Sequence, residues 1–373
     1  MIYATTDSLE LAKTLAKTFN DNAAEADRKG AFPQTDAQVI KSSGILKLTL
    51  PEIYGGFGAS LQETIEAQLE LAKGSGSSAL VVAMTHSIVG HERECLSWQK
   101  EIRDALFEKV ANGSLINSSA SEPRLGSPSR GGLPDSYAQQ DGDQLIINGH
   151  KNWVTGGEHL DQLLVKVRLE DAAVTVWIPA NTEGVRWEKT WGESLSLRAS
   201  DSHDLYLENV TVSKENILQE TNSKPLIWFP MLMAATYLGI ALGARDDIVQ
   251  YAKERVPTAL GKAIATLPKI QRQIGEMEVT LESARTYLLY VASLWQGQED
   301  KRQALLPKIA AAKHLAVEAA LEATDKALRI AGGAAIDKHL PFERYFRDVR
   351  AGIMHPPSGD TALEIVGRSS LGL

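Results

Sequence analysis

The chain has 373 residues, 43% hydrophobic and 23% charged, the balance of a soluble globular protein too long for one ordinary core. Its 47 acids against 39 bases leave a formal charge of −8 with no long basic block, which speaks against a nucleic-acid surface as its main business. Cys95 is the only cysteine, so an intrachain disulfide and a thiolate metal cluster are excluded, and a reducing compartment, the cytoplasm, is expected.

The N-terminal stretch MIYATTDSLELAKTLAKTF is amphipathic and carries acids, unlike a signal peptide, and no run of about 18 uncharged apolar residues occurs anywhere, so no membrane span is expected. From residue 1 to about 114 apolar positions recur at helical spacing, as in Leu61, Ile65, Leu69 and Ala72, or Leu80, Met84 and Ile88. Helices there are punctuated by the glycines of 55–58 and by the Gly/Ser cluster of 74–78, whose serines can cap the helix that follows. Between 115 and 222 the pattern turns to short β-branched or alternating runs: LIIN (145–148), NWVT (152–155), LLVKVR (163–168), VTVWIP (174–179) and DLYLENVTV (204–212). From 223 to 373 the helical period returns, in long blocks near 226–255, 268–296 and 302–331 that suit a helical bundle. The class is α+β, in the order α, β, α.

Three segments could carry chemistry. SASEPRLGSPS (119–129) joins backbone donors to small side chains that would let a planar or phosphorylated ligand approach; a surface Ω-loop is the plainer reading. In NGHKNWVTGG (148–157) strand alternation places Trp153 and Thr155 on one face, an indole to stack and a hydroxyl to bond, or simply a strand running into a turn. The third is FRDVRAGIMHPPSGDTALEIVGR, from Phe346. Pro356 and Pro357 remove donors and fix φ beside His355, an ionisable group with an ordinary value suited to proton exchange, or else a cap on the turn. His86 and His91, five apart, do not share a helix face well, so no metal pair is expected.

In order along the chain, LPEIYGGFGAS (50–60), the SEP…GS stretch (121–127), DGDQLIINGHKNWVTGG (141–157), YAKER (251–255), GEM (275–277) and IAGGAA…PFERYFRD (330–348) resemble the acyl-CoA dehydrogenase superfamily of flavoproteins over nearly the whole length. The resemblance implies an N-terminal α-helical domain, a middle β-barrel or sandwich domain and a C-terminal four-helix bundle. It implies FAD, with FMN as the alternative, lying beside Ala120, Ser121, Gly126 and Ser127, with Trp153 against the ring and the Thr155 hydroxyl near N5. Arg255 resembles the family's arginine that reaches the flavin phosphates of a neighbouring subunit, or is a plain C-terminal helix cation. Gly332 and Gly333 resemble the glycine pair near the cofactor's nucleotide end, with Arg329 where a glutamine is usual.

The departures fall on the base. The family's catalytic glutamate stands nine residues after the arginine of the RD pair, which is Pro356 here; the alternative place, counted back from Arg255, is Phe229. Neither accepts a proton, and 223–245 contains no glutamate. Glu364 and Asp360 are remote substitutes, and His355 is the nearest ionisable group. The first functional expectation is a flavin oxidoreductase acting on the CH–CH group of an acyl-CoA or similar small substrate by hydride transfer to N5. A second is a two-component monooxygenase fed by a flavin reductase, with catalytic roles for His355, Thr155 and His86. A third is a catalytically silent scaffold. The resemblance also implies a homotetramer and an electron-transfer partner; no nucleic acid, membrane or metal is expected.

Overall fold

The structure, a computed structural model, describes residues 2–125, 131–219, 226–297 and 299–373. Five helices come first: α1 (Ile2–Lys29), α2 (Gln34–Ser43), α3 (Leu61–Gly74), α4 (Gly76–Cys95) and α5 (Lys100–Ala111). Ser60 starts α3 through a reciprocal cap, its hydroxyl accepting from Glu63 N while the Glu63 carboxylate accepts from Ser60 N. Ser75, in the expected Gly/Ser cluster, caps α4 by accepting from Ser78 N. Helix α4 is buried almost all round. At Gly90 it admits the Trp228 ring so closely that a Cβ would stand 2.4 Å from ring atoms.

Among the described residues eight strands follow: β1 (Ile116–Ser119), β2 (Tyr137–Asp141), β3 (Gln144–Val154), β4 (Gln162–Leu169), β5 (Ala172–Pro179), β6 (Val185–Glu188), β7 (His203–Ser213) and β8 (Ile217–Leu218). They hydrogen-bond as one connected sheet in the order β6-β7-β3-β2-β4-β5-β8, with β1 parallel to β4. LIIN and NWVT prove to be one strand, β3, whose register against β7 shifts at Ile147/Gly149 and again at Lys151/Val154. The second shift coincides with Trp153 at φ 60°, a left-handed conformation that breaks the alternation expected between Trp153 and Thr155.

The C-terminal helices are α6 (Trp228–Glu254), α7 (Pro268–Gly297), α8 (Leu306–Ala331), the short α9 (Phe342–Asp348) and α10 (Gly359–Leu371). The three long blocks read from periodicity are α6, α7 and α8. Helix α6 is the axis of the molecule, buried from Trp228 through Ala244 except at the half-exposed Phe229, and packed against α3, α4, α7 and α8. No helix among the described residues is long and apolar enough to cross a membrane.

Segments from all three regions meet at the RD pair. Arg347 grips Asp27 of α1 with two nitrogens, at 2.6 and 3.1 Å, and also pairs with Glu343. Asp348 is buried; its carboxylate accepts from Leu197 N at 2.8 Å and its carbonyl from the Ser196 hydroxyl at 2.6 Å. Asp201, after β6, accepts from Phe32 N. Arg347 and Asp348 thus strap the start of the C-terminal loop to α1 and to the β region, and His355 follows a few residues beyond that strap.

Candidate active site

The end of β1, the end of β3 and the loop before β7 converge on a string of hydroxyls. Asn117 donates to Thr155 O at 2.8 Å, the Thr155 and Ser202 hydroxyls lie 2.8 Å apart, and Ser202 meets Ser200 at the same distance. Asn152 N donates to Ser121 O, which ties the segment carrying Ala120 and Ser121 to the end of β3. Below it Glu122 accepts from the fully buried Lys151 ammonium at 2.5 Å and from the Asp135 and Ser136 amides. Burial opposes ionisation of Glu122, but Lys151 and those donors outweigh it and hold the carboxyl below its ordinary range.

Trp153 stands out from this floor with 60% of its surface exposed, whereas Thr155 is buried. Two buried polar atoms beside the same segment, Ser119 Oγ and Asn152 Oδ1, have no hydrogen-bond partner among the described residues. An exposed indole over a floor of hydroxyls and unsatisfied polar atoms fits a planar heteroaromatic group bearing donors and acceptors on one edge, as a flavin does.

A second cluster forms where the C-terminal loop meets α6. His355 is half-buried and its Nδ1 lies 2.6 Å from the hydroxyl of Tyr237, which is fully buried. Phe229, eight residues before Tyr237 on α6, presents its ring edge-on to the imidazole at 5.9 Å. Lys313 of α8, also buried, donates to Gly352 O at 2.7 Å. Burial first, and then the Lys313 charge, push His355 down to about 4, so it is neutral at ordinary pH. Burial alone brings Lys313 down to about 8, and burial together with Asp348 raises Tyr237 well above its ordinary value. His355 does not serve as a cap to the backbone; its ring is committed to Tyr237.

Ala120, Ser121, Trp153 and Thr155 are thus brought together, and His355 is held against α6. His86 is buried in α4 with Nε2 2.9 Å from Ile45 O; burial lowers it to about 4, and its Nδ1 has no partner among the described residues. Arg255 ends α6 exposed, its side chain unpaired among the described residues. Gly332 and Gly333 lie exposed at the end of α8; Gly332, at φ 66° and ψ −142°, occupies a region essentially closed to other residues. Gly126 and Ser127 lie outside the described residues. Asp360 and Glu364 are exposed on α10.

Sequence reasoning missed Tyr237, Lys313, Ser202 and the Glu122–Lys151 pair. Lys313 was readable: it falls on the stripe Ile309, Ala312, Ala316, Ala320, a cation where the helical period calls for an apolar residue. Tyr237 carries a similar signal as one phenol within the apolar run of α6.

Family models describing the N-terminal, middle and C-terminal domains of acyl-CoA dehydrogenase match residues 9–113, 118–210 and 231–357. The chain belongs to the acyl-CoA dehydrogenase superfamily. It is 35% identical over 361 residues to YdbM of Bacillus subtilis (strain 168), a provisionally named acyl-CoA dehydrogenase, covering 95% of this chain and 94% of that one. It is 28% identical to the human mitochondrial short-chain specific acyl-CoA dehydrogenase over 88% of this chain and 80% of that one. Among solved structures, TdsC from Paenibacillus sp. A11-2 in complex with FMN and indole superposes with a TM-score of 0.88 at 26% identity, covering 98% of this chain and 97% of that one. The superfamily's flavoproteins thus include dehydrogenases and monooxygenases among the relatives of this chain, and the α, β, α architecture is theirs.

Proposed function

We propose that this protein is a flavin-dependent oxidoreductase that uses dioxygen, a monooxygenase supplied with reduced flavin by a separate reductase. The reading rests on one observation: the family's two base positions are Pro356 and Phe229, and the group between them is a neutral histidine backed by a buried tyrosine. FAD or FMN would be held by Ala120, Ser121, Trp153 and Thr155. Bound flavin would supply two-electron redox chemistry and, once reduced, reactivity toward dioxygen. Residues of the chain bind and orient the ring, exclude water through Phe229 and α6, and offer a hydrogen bond from His355. Thr155 serves as a ring contact, and His86, with its buried Nδ1 unpartnered among the described residues, is the third candidate of the site.

The assembly we propose is a homotetramer. Arg255, exposed and unpaired among the described residues, and the exposed Gly332 and Gly333 suit contact with a cofactor shared across a subunit boundary. The test is turnover of a small organic substrate with reduced flavin and oxygen in the wild type and in His355→Ala. Loss of turnover with folding and flavin binding intact supports a catalytic His355; unchanged turnover ends that role.

Acyl-CoA dehydrogenation with an electron-transfer partner is the second reading, favoured by the relatives named as dehydrogenases. It requires a proton acceptor within about 3 Å of the substrate α carbon. Asp348, pushed up to about 6 by burial and then by Asp27, is the buried carboxyl whose charge Tyr237 feels, but it is occupied by Leu197 N.

A further inference from the structure

We propose that Tyr237 is a positioning residue that fixes His355 in the tautomer protonated on Nε2, so that the site presents a hydrogen-bond donor to its ligand and not a base. The inference rests on the placement of His355 at the reacting centre proposed above, and it assigns that residue's chemistry.

The Tyr237 side chain is fully buried, and its hydroxyl makes one hydrogen bond, to His355 Nδ1. A buried phenol with a single acceptor in reach donates to it, because the reverse arrangement would leave its own proton unpaired in the core. Nδ1 therefore carries a lone pair, and the proton of the neutral ring is on Nε2. An imidazolium would donate from Nδ1 to the phenol oxygen across the same 2.6 Å and leave the buried Tyr237 proton without an acceptor. Of the elements packed on the ring, α6 contributes Tyr237 and the apolar wall of Phe229. Helix α8 contributes the Lys313 ammonium, which adds a second penalty to any positive charge on the ring. Asp348 is the acid felt by Tyr237, and it faces Leu197 N.

Nε2, in contrast, has no hydrogen bond to the described residues and is not among the buried atoms left without a partner, so it is open at the surface of the cluster. A donor fixed in this way recognises a ligand with a lone-pair acceptor, such as a carbonyl, thioether-oxide or other oxygen, and can steady negative charge that develops there. It cannot take the proton α to a thioester. Phe229 beside it selects for an apolar or aromatic body attached to that acceptor.

The test is nitrogen NMR of the full-length protein labelled with 15N-histidine, recorded without flavin or substrate, with His355 assigned by the signals lost in His355→Asn. The wild type is expected to show Nδ1 unprotonated and Nε2 protonated at neutral pH, and no imidazolium until the pH falls toward 4. In Tyr237→Phe both tautomers should appear, and the protonation midpoint should rise by about one pH unit as the competing donor is lost. A wild-type ring protonated on Nδ1, a midpoint near the ordinary 6.5, or a variant that keeps the single wild-type tautomer would each overturn the proposal. If Tyr237→Phe does not fold, the wild-type tautomer and titration decide the matter alone. The signals come from the resting protein, so a correct tautomer with no oxygen-dependent turnover would defeat the proposed function and leave this inference standing.

Discussion

Glu122 and Lys151 form the buried ion pair under the Ser121 segment, and the two single substitutions should have unequal effects. Glu122→Gln leaves the Lys151 ammonium, which has no exposed surface, without a carboxylate, and it weakens the acceptor for the Asp135 and Ser136 amides. Removing one partner of a buried pair costs about 3–5 kcal/mol because the remaining charge stays desolvated. Lys151→Met should cost less, about 1–3 kcal/mol, since Glu122 keeps two backbone donors. The double variant should recover part of the Glu122→Gln loss. Denaturant unfolding of the four proteins measures the cycle, and flavin titration of each reports whether the Ser121 segment has loosened. A folded carboxyl held below the ordinary 4.5 contributes stability that is present above that value and lost as pH falls through the folded one, so the wild-type advantage should fade only in acid. Equal losses in the two single variants, or a double variant no better than Glu122→Gln, would refute the claim that an unpaired buried Lys151 is the source of the cost.

Other substitutions probe other parts of the account. Gly90→Ala puts a methyl 2.4 Å from the Trp228 ring and should cost about 1–3 kcal/mol by thermal unfolding; an unchanged melting curve would mean that α4 and α6 do not meet there as described. Thr155→Val keeps the shape but removes the hydroxyl bonded to Ser202, and should lower stability by about 1 kcal/mol and perturb the bound-flavin spectrum; an identical spectrum and affinity would move the ring away from residue 155. Asp348, pushed up to about 6 in the folded chain from an ordinary 3.8, binds a proton that the unfolded chain has released, so its contribution to stability falls as pH rises from about 4 to about 6. Asp348→Asn should flatten the pH profile over that window, and an unaltered slope would contradict the placement of this carboxyl.

The architecture was legible because α7 and α8 keep the 3.6 period, α6 is one long apolar run, and β4, β5 and β7 keep their β-branched runs. Strands β1, β2, β6 and β8 were not legible, being only two to five residues long, and INSS and YAQQD carry no apolar alternation. The site was half legible. Trp153 and Thr155 could be picked out by residue type, yet the strand rule assigned them one face, because a left-handed residue at 153 cannot be read from a pattern that assumes regular pleating. His355 stood out from its prolines, but its partners did not: Tyr237 and Lys313 lie 118 and 42 residues away in sequence and meet it only because Asp348 and Arg347 strap the loop across the domains.

The most direct measurement is the absorption spectrum of the purified protein with FAD and then FMN, followed by a panel of acyl-CoAs without oxygen and by small aromatic or thioether substrates with reduced flavin and oxygen. The account predicts a bound flavin that the acyl-CoAs leave oxidised, with substrate oxygenation that depends on both oxygen and reduced flavin. Anaerobic bleaching of the flavin by an acyl-CoA would contradict it, since some group other than His355 would then be taking the α proton.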